Sequence, residues 1–178
     1  MVDLLPRLRD KGLEIELAVF DGTRTDFYHA LKQQGILIHT LGMGLKAMHS
    51  PRCIPALRRL IQQFDVVHTH NTPCQLFTAL AAIGLKNPPQ LVTTEHNTTN
   101  RRRKYSLLKS IDRWMYSRYA QIIGVSESTT QALLNYLPHL QHCQTINNGI
   151  NVRSFQQAIP AEDLVHQFSE LKRLVMAA

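Results

Sequence analysis

Short β-branched and apolar runs alternate along this chain with stretches of helical periodicity, and that alternation constrains the fold more than any other feature. A strand, a helix and a second strand form a crossover unit, and a succession of such units builds a parallel sheet covered by helices. The pattern predicts strands at Glu14–Phe20, Ile36–Leu41, Val66–Thr69, Leu91–Thr94, Ile122–Val125 and Thr145–Ile146. Between them it predicts helices at Asp26–Gln33, Ile54–Gln63, Gln75–Ile83, Ser106–Tyr119 and Glu127–Leu134. Gly12 and Gly35 fall where a helix must stop before a strand, and Asn87-Pro88-Pro89 breaks the chain ahead of Leu91. The class is α/β.

The two ends of the sequence carry expectations of their own. The chain opens on a helical stretch, Val2–Lys11, with Pro6 inside it and no strand ahead of it. In open α/β sheets the first strand lies inside the sheet, and its following turn carries glycines that admit phosphate to a helix amino terminus. With that strand missing, the strands at Glu14–Phe20 and Val66–Thr69 are expected to border a gap with unpaired backbone. Either they close up, another segment such as the one near Leu174 fills the slot, or the chain is unstable and associates. At the other end, Lys172–Ala178 reads as a basic lead into a fresh apolar strand. The expected organisation is a Rossmann-like domain over 1–155 and, over 156–178, a linker with the first strand of a second domain.

Length and composition narrow the function classes. The 178 residues with 44% hydrophobic content suit one soluble domain. Three cysteines with no C-x-x-C pair argue against a disulfide framework and fit a reducing cytoplasm. A net charge of +7 favours anionic partners: phosphate, nucleic acid or an acidic membrane face. Nucleic acid is disfavoured, because no recognition motif occurs and aromatic residues are not interleaved with the basic ones. A serine hydrolase is disfavoured because Ser126 is not flanked by glycines as a nucleophile elbow requires.

Polar residues gather where strands end. The segments are Asp65-Val66-Val67-His68-Thr69-His70-Asn71, Leu91-Val92-Thr93-Thr94-Glu95-His96-Asn97, Ile122-Ile123-Gly124-Val125-Ser126-Glu127-Ser128 and Ile146-Asn147-Asn148-Gly149-Ile150-Asn151 with Phe155. Ligands of open α/β sheets bind outside the carboxyl ends of strands, so these residues are the binding candidates. His68 and His70, two apart on a strand, share a face and invite a metal reading with His96 as third ligand. No second His/Cys/Asp cluster completes a ligand set, so packing or ligand contact is the preferred reading. Ser126 reads as a helix cap with Glu127 in the favourable first turn, or as a phosphate or hydroxyl contact. Asn147-Asn148-Gly149 reads as a turn with positive φ. The run Arg101-Arg102-Arg103-Lys104 reads as a site of attraction for a phosphorylated acceptor or an anionic membrane surface, or as a solvated charge cluster. Trp114, Tyr116 and Tyr119 read as packing residues.

In their order and spacing these four motifs resemble the amino-terminal domain of family four glycosyltransferases, over essentially the whole chain. The resemblance implies a GT-B fold, a Rossmann-like parallel sheet flanked by helices, here lacking its first strand. It implies the acceptor-binding half of an enzyme that moves a sugar from a nucleotide-sugar donor to a glycan or lipid-linked acceptor, in cell-surface polysaccharide synthesis. His96 matches the family's strand-end histidine near the reaction centre and is the catalytic candidate. His70, Asn71, Glu95, Asn97 and Arg101 are candidates for acceptor binding, and Ser126 and Glu127 for contact with phosphate or hydroxyl. The resemblance also implies retention of configuration, no metal, and no cofactor beyond the nucleotide-sugar co-substrate. The cysteine usage and the basic run point to a cytoplasmic place, peripheral at the inner face of the cell membrane. The family's glycine-rich loop and Glu-x7-Glu motif do not occur in this sequence, so sugar transfer by this chain alone is not expected. Competing readings are a non-catalytic sugar- or phosphate-binding module and a nucleotide-sugar epimerase of the same fold.

Overall fold

The apolar runs become strands where helices cover them. The computed structural model describes residues 1–42, 50–70, 72–149 and 152–157. Helix α1 (Leu4–Arg9) precedes β1 (Glu16–Val19), α2 (Asp26–Gln33) and β2 (Leu37–Thr40). Then come α3 (Ile54–Ile61), β3 (Val66–His70), α4 (Thr72–Ala81), β4 (Gln90–Glu95), α5 (Ser106–Tyr116), β5 (Gln121–Gly124), α6 (Glu127–Tyr136) and β6 (Cys143–Thr145). Short 3-10 turns, Pro51–Cys53 and Arg101–Lys104, lead into α3 and α5. Met1–Asn148 form one compact unit; Gly149–Ala178 form a second, of which α7 (Val152–Gln156) is described. Asn71, Ile150, Asn151 and the strand expected near Leu174 lie outside the described residues.

Every strand pairing is parallel, but the strands fall into two sheets, β1-β2 and β3-β4-β5-β6. Among the described residues β1 pairs only with β2, and β3 only with β4. The two strands expected to border a gap therefore have not closed up. They are joined by side chains instead, for Phe20 at the end of β1 packs on Phe77 of α4 with ring centroids 6.1 Å apart. That contact belongs to a cluster with Cys53, Leu57, Ile61 and Ala81. The larger cluster lies on the four-stranded sheet and includes Leu91, Met115, Ile122, Leu133 and Leu137. Met115, Ile122 and Leu133 are at most 1% exposed, and each such side chain contributes about 1.5–3 kcal/mol by leaving water. Tyr116 and Tyr119 belong to this cluster and Trp114 packs against it, the packing role read from the sequence.

Local chemistry explains the helix ends. Pro6 is tolerated because it sits in the first turn of α1, where a backbone N–H has no helical partner. Gly12 and Gly35 stop α1 and α2 with φ of +89° and +78°, the left-handed conformation that glycine reaches without strain. The turn expected at Asn147-Asn148-Gly149 is a correction, since none of the three has positive φ. His142 takes that conformation instead, at φ +57°, and its carbonyl accepts hydrogen bonds from the Ile122 backbone N–H and the Gln121 amide. The sharp turn is thus needed before β6, to bring the chain into register with β5, and the stretch after β6 runs on without one. The strand itself begins two residues earlier than its apolar content indicates, because Gln144 lies on an exposed edge where a polar side chain is harmless.

Candidate functional site

Parallel pairing brings the carboxyl ends of β3, β4 and β5 side by side. His70 stands opposite Thr94, and Glu95 opposite Gly124. The side chains of His68 and His70, on the same face of β3, stack with ring centroids 4.6 Å apart and planes at 27°. Beyond β4, His96 turns back towards them. Its Nε2 lies 3.0 Å from Nδ1 of His70, with the ring centroids 5.3 Å apart. His68 is fixed from the other side, its Nε2 lying 2.7 Å from the Thr94 hydroxyl. The result is a line of contacts, Thr94–His68–His70–His96, in which His70 is half-buried and His96 is exposed.

Burial, followed by the charges of His68, His96 and the Met1 ammonium, pushes the His70 pKa down from 6.5 to about 4. Burial, and then His96, also lowers that of His68. His70 is therefore neutral at physiological pH. Among the described residues no group of three or more His, Cys, Asp and Glu side chains is arranged to hold a metal ion.

Beneath the histidines lies a polar network that is almost entirely dry. Glu95, 7% exposed, accepts hydrogen bonds from the Gln75 amide, the Tyr116 hydroxyl and, at 3.5 Å, the Arg103 guanidinium. The same Gln75 amide donates to Thr93 Oγ1 at 2.8 Å, and the Tyr119 hydroxyl donates to the Gln75 carbonyl at 2.9 Å. Burial and the Glu95 charge raise the Tyr116 pKa, so its phenol remains a donor. Gln75 Oε1 alone among the buried side-chain polar atoms of the described residues has no partner. Glu95 thus points into the protein and anchors the end of β4, while His96 and Asn97, the next two residues, face solvent.

Two residues of the basic run correct the expectation; the side chains of Arg101 and Lys104 lie outside the described ones. Arg102 and Arg103 are neither a solvated cluster nor a free anion-binding patch. Arg102 pairs with Asp112, which is 5% exposed and also accepts from the Tyr136 hydroxyl at 3.1 Å. Arg103 reaches Glu95 and the Thr98 carbonyl, and lies over the Tyr136 ring at 5.5 Å. Buried carboxylates need paired cations, and these two supply them. Arg101 opens the 3-10 turn that precedes α5. Asn100 holds this loop in place, donating to Thr72 Oγ1 at 3.1 Å and accepting from the Arg102 backbone N–H.

Ser126 is the N-cap of α6, its hydroxyl accepting from the Thr129 N–H at 3.2 Å. The Glu127 carboxylate accepts from Thr145 Oγ1 at 2.9 Å, tying α6 to β6. These two residues stand at the end of β5, beside the strand that carries His96. The parts missed by sequence reasoning are Gln75, Tyr116, the two arginines and Thr69, whose hydroxyl donates to that of Tyr119 at 3.1 Å; polar residues inside otherwise apolar elements were the available signal. A cavity of about 290 Å³ lined by Arg113, Tyr119, Leu137, His139 and His142 opens at the amino end of β6. It lies at the opposite strand ends from the histidines, and the carboxyl ends are where parallel sheets bind ligands.

Residues 1–154 match the family model described as Glycosyltransferase Family 4. The chain belongs to glycosyltransferase family 4. The crystal structures of Anabaena HepE in complex with UDP and in complex with UDP-glucose share the fold of this family 4 chain, with TM-scores of 0.66 and 0.65 at 14% and 15% identity. The match covers 95% of the family 4 chain and 44% of each HepE chain, so it spans less than half the length of those proteins. No curated protein matches. The parallel sheets flanked by helices are the Rossmann-like arrangement expected of a GT-B glycosyltransferase.

Proposed function

We propose that this chain is the acceptor-binding half of a glycosyltransferase that moves a sugar from a nucleotide-sugar donor to a glycan or lipid-linked acceptor. The hydrogen-bonded pair of His70 and His96 at the carboxyl ends of β3 and β4 carries this reading. Glycosyl transfer requires an acceptor hydroxyl held in line with an electron-poor carbon, and a fixed imidazole does this by hydrogen bonding. His96 is the group that meets the reacting hydroxyl; acceptor binding is assigned to His70, Asn71, Asn97 and Arg101. Glu95 supports the site from beneath. Ser126 and Glu127 contribute the edge nearest a donor phosphate.

UDP and UDP-glucose in the HepE structures support a nucleotide-sugar donor here, held mainly by a second domain. Tyr105 and Leu107, 64% and 82% exposed directly after the loop that carries Asn97, offer apolar surface for the lipid of a membrane-borne acceptor. We accordingly place the enzyme at the cytoplasmic face of the cell membrane, in polysaccharide synthesis. Titration calorimetry tests the assignment with UDP- and GDP-sugars, candidate acceptor glycans and a His96→Ala variant. The expected result is acceptor binding that weakens in His96→Ala, with little heat from nucleotide sugars. Tight nucleotide-sugar binding indifferent to His96 would overturn it.

A further inference from the structure

We propose that His70 is a positioning residue for His96: its bare Nδ1 accepts the His96 Nε2–H, fixing that ring in one tautomer and leaving the His96 Nδ1 lone pair as an acceptor for a ligand hydroxyl. The two nitrogens are 3.0 Å apart, a hydrogen-bond distance. Two neutral imidazoles make this contact only if one nitrogen carries hydrogen and the other does not. With His96 donating, both rings carry their proton on Nε2, the form that a neutral histidine side chain prefers. With His70 donating, both would need the less favoured Nδ1–H form. The direction follows from which atoms meet.

The surroundings hold His70 to this task. His68 stacks on its ring and is itself tied to Thr94, so a rotation of His70 would lose both this stack and the contact with His96. Burial keeps the ring neutral, and a neutral ring with its proton on Nε2 has a free Nδ1. The consequence is chemical selectivity. A bare Nδ1 on His96 accepts from the O–H of a sugar and has nothing to donate to a carbonyl or an ether oxygen. Deoxy analogues of the acceptor lacking that hydroxyl should therefore lose the contact.

This inference deepens the acceptor-site reading and rests on it for its functional consequence, whereas the tautomer can be measured without ligand. The test is long-range proton–nitrogen correlation on the chain labelled with nitrogen-15 histidine, at a pH where the rings are neutral, with His96 assigned from His96→Ala. His96 is expected to show a single tautomer, protonated at Nε2. His70→Leu, which fills the space without an acceptor, should shift both His96 nitrogens towards averaged values. His70→Asn, whose Oδ1 stands near the former Nδ1, should restore the single tautomer, and its amide spectrum reports that the fold is intact. In calorimetry His70→Leu should weaken acceptor binding by about threefold to tenfold, the scale of one hydrogen bond. A His96 ring protonated at Nδ1, or one unchanged by His70→Leu, overturns the inference even if sugar binding depends on His96. A tautomer that responds to His70 while no sugar binds leaves the inference standing and removes the acceptor reading.

Discussion

At the scale of single residues, the carboxylate of Glu95 stays inside this protein because its neighbours are donors. Gln75, Tyr116 and Arg103 all turn towards it. Tyr116→Phe removes one hydrogen bond to a charged group while keeping the ring, and is expected to cost about 1.5–3 kcal/mol, read from denaturant unfolding. An unchanged midpoint would mean that the phenol does not support the carboxylate. His70 carries a second expectation. The unfolded ring takes up a proton below its ordinary 6.5, whereas the folded ring does so only near about 4. Across that window the unfolded chain binds more protons, so stability rises with pH and is lost as pH falls through it. His68, lowered by burial and by His96, acts in the same direction. His70→Leu should therefore show a shallower loss of urea midpoint than the parent chain between about pH 6.5 and 4; equal slopes would remove His70 from the linkage.

At the scale of elements, Gly124 decides how closely α6 approaches β5. A Cβ there would stand 2.2 Å from Thr130 Oγ1 and 2.9 Å from its backbone nitrogen. Thr130 has little room to yield, since its hydroxyl is bonded to that of Thr145 at 2.8 Å. Gly124→Ala is expected to displace the first turn of α6 and cost about 1–3 kcal/mol in thermal unfolding. Gly149→Ala, where a Cβ meets nothing within 4 Å, is the neutral control. The positions of α2, α3 and α6 were legible in the sequence because a cap, a proline or a glycine marks their ends. α4 begins at Thr72, three residues ahead of the expected Gln75, and α5 ends at Tyr116 rather than Tyr119. Apolar periodicity continues through those boundaries, so pattern alone does not mark them.

At the scale of the whole molecule, the division into two sheets predicts uneven protection of the backbone. β4 and β5 have partners on both sides, whereas β1 and β3 each have an edge without one among the described residues. Hydrogen exchange should find the amides of β4 and β5 slowest, with alternate amides of β1 and β3 exchanging faster. Uniform protection across all six strands would mean that the four open edges, β1, β2, β3 and β6, are covered in solution. The site depends on this organisation too, since its histidines come from neighbouring strands of the four-stranded sheet and owe their contact to the register that sets His70 against Thr94.

The sequence by itself determined the α/β class, the parallel topology, the family and the stretches from which the site is drawn, because periodicity, strand-end polarity and breaker residues are local properties. Tertiary structure decided what those residues do. Glu95 and His96 are adjacent in the chain, yet the pleat and the end of β4 send one into a dry network and leave the other in solvent. Arg102 and Arg103 read as surface charge until two buried carboxylates, from α5 and β4, are found to face them. His70 and His96 are separated by 26 residues and meet only because two parallel strands end side by side. Which partners a side chain meets is fixed by the packing of distant segments, and no local pattern encodes that.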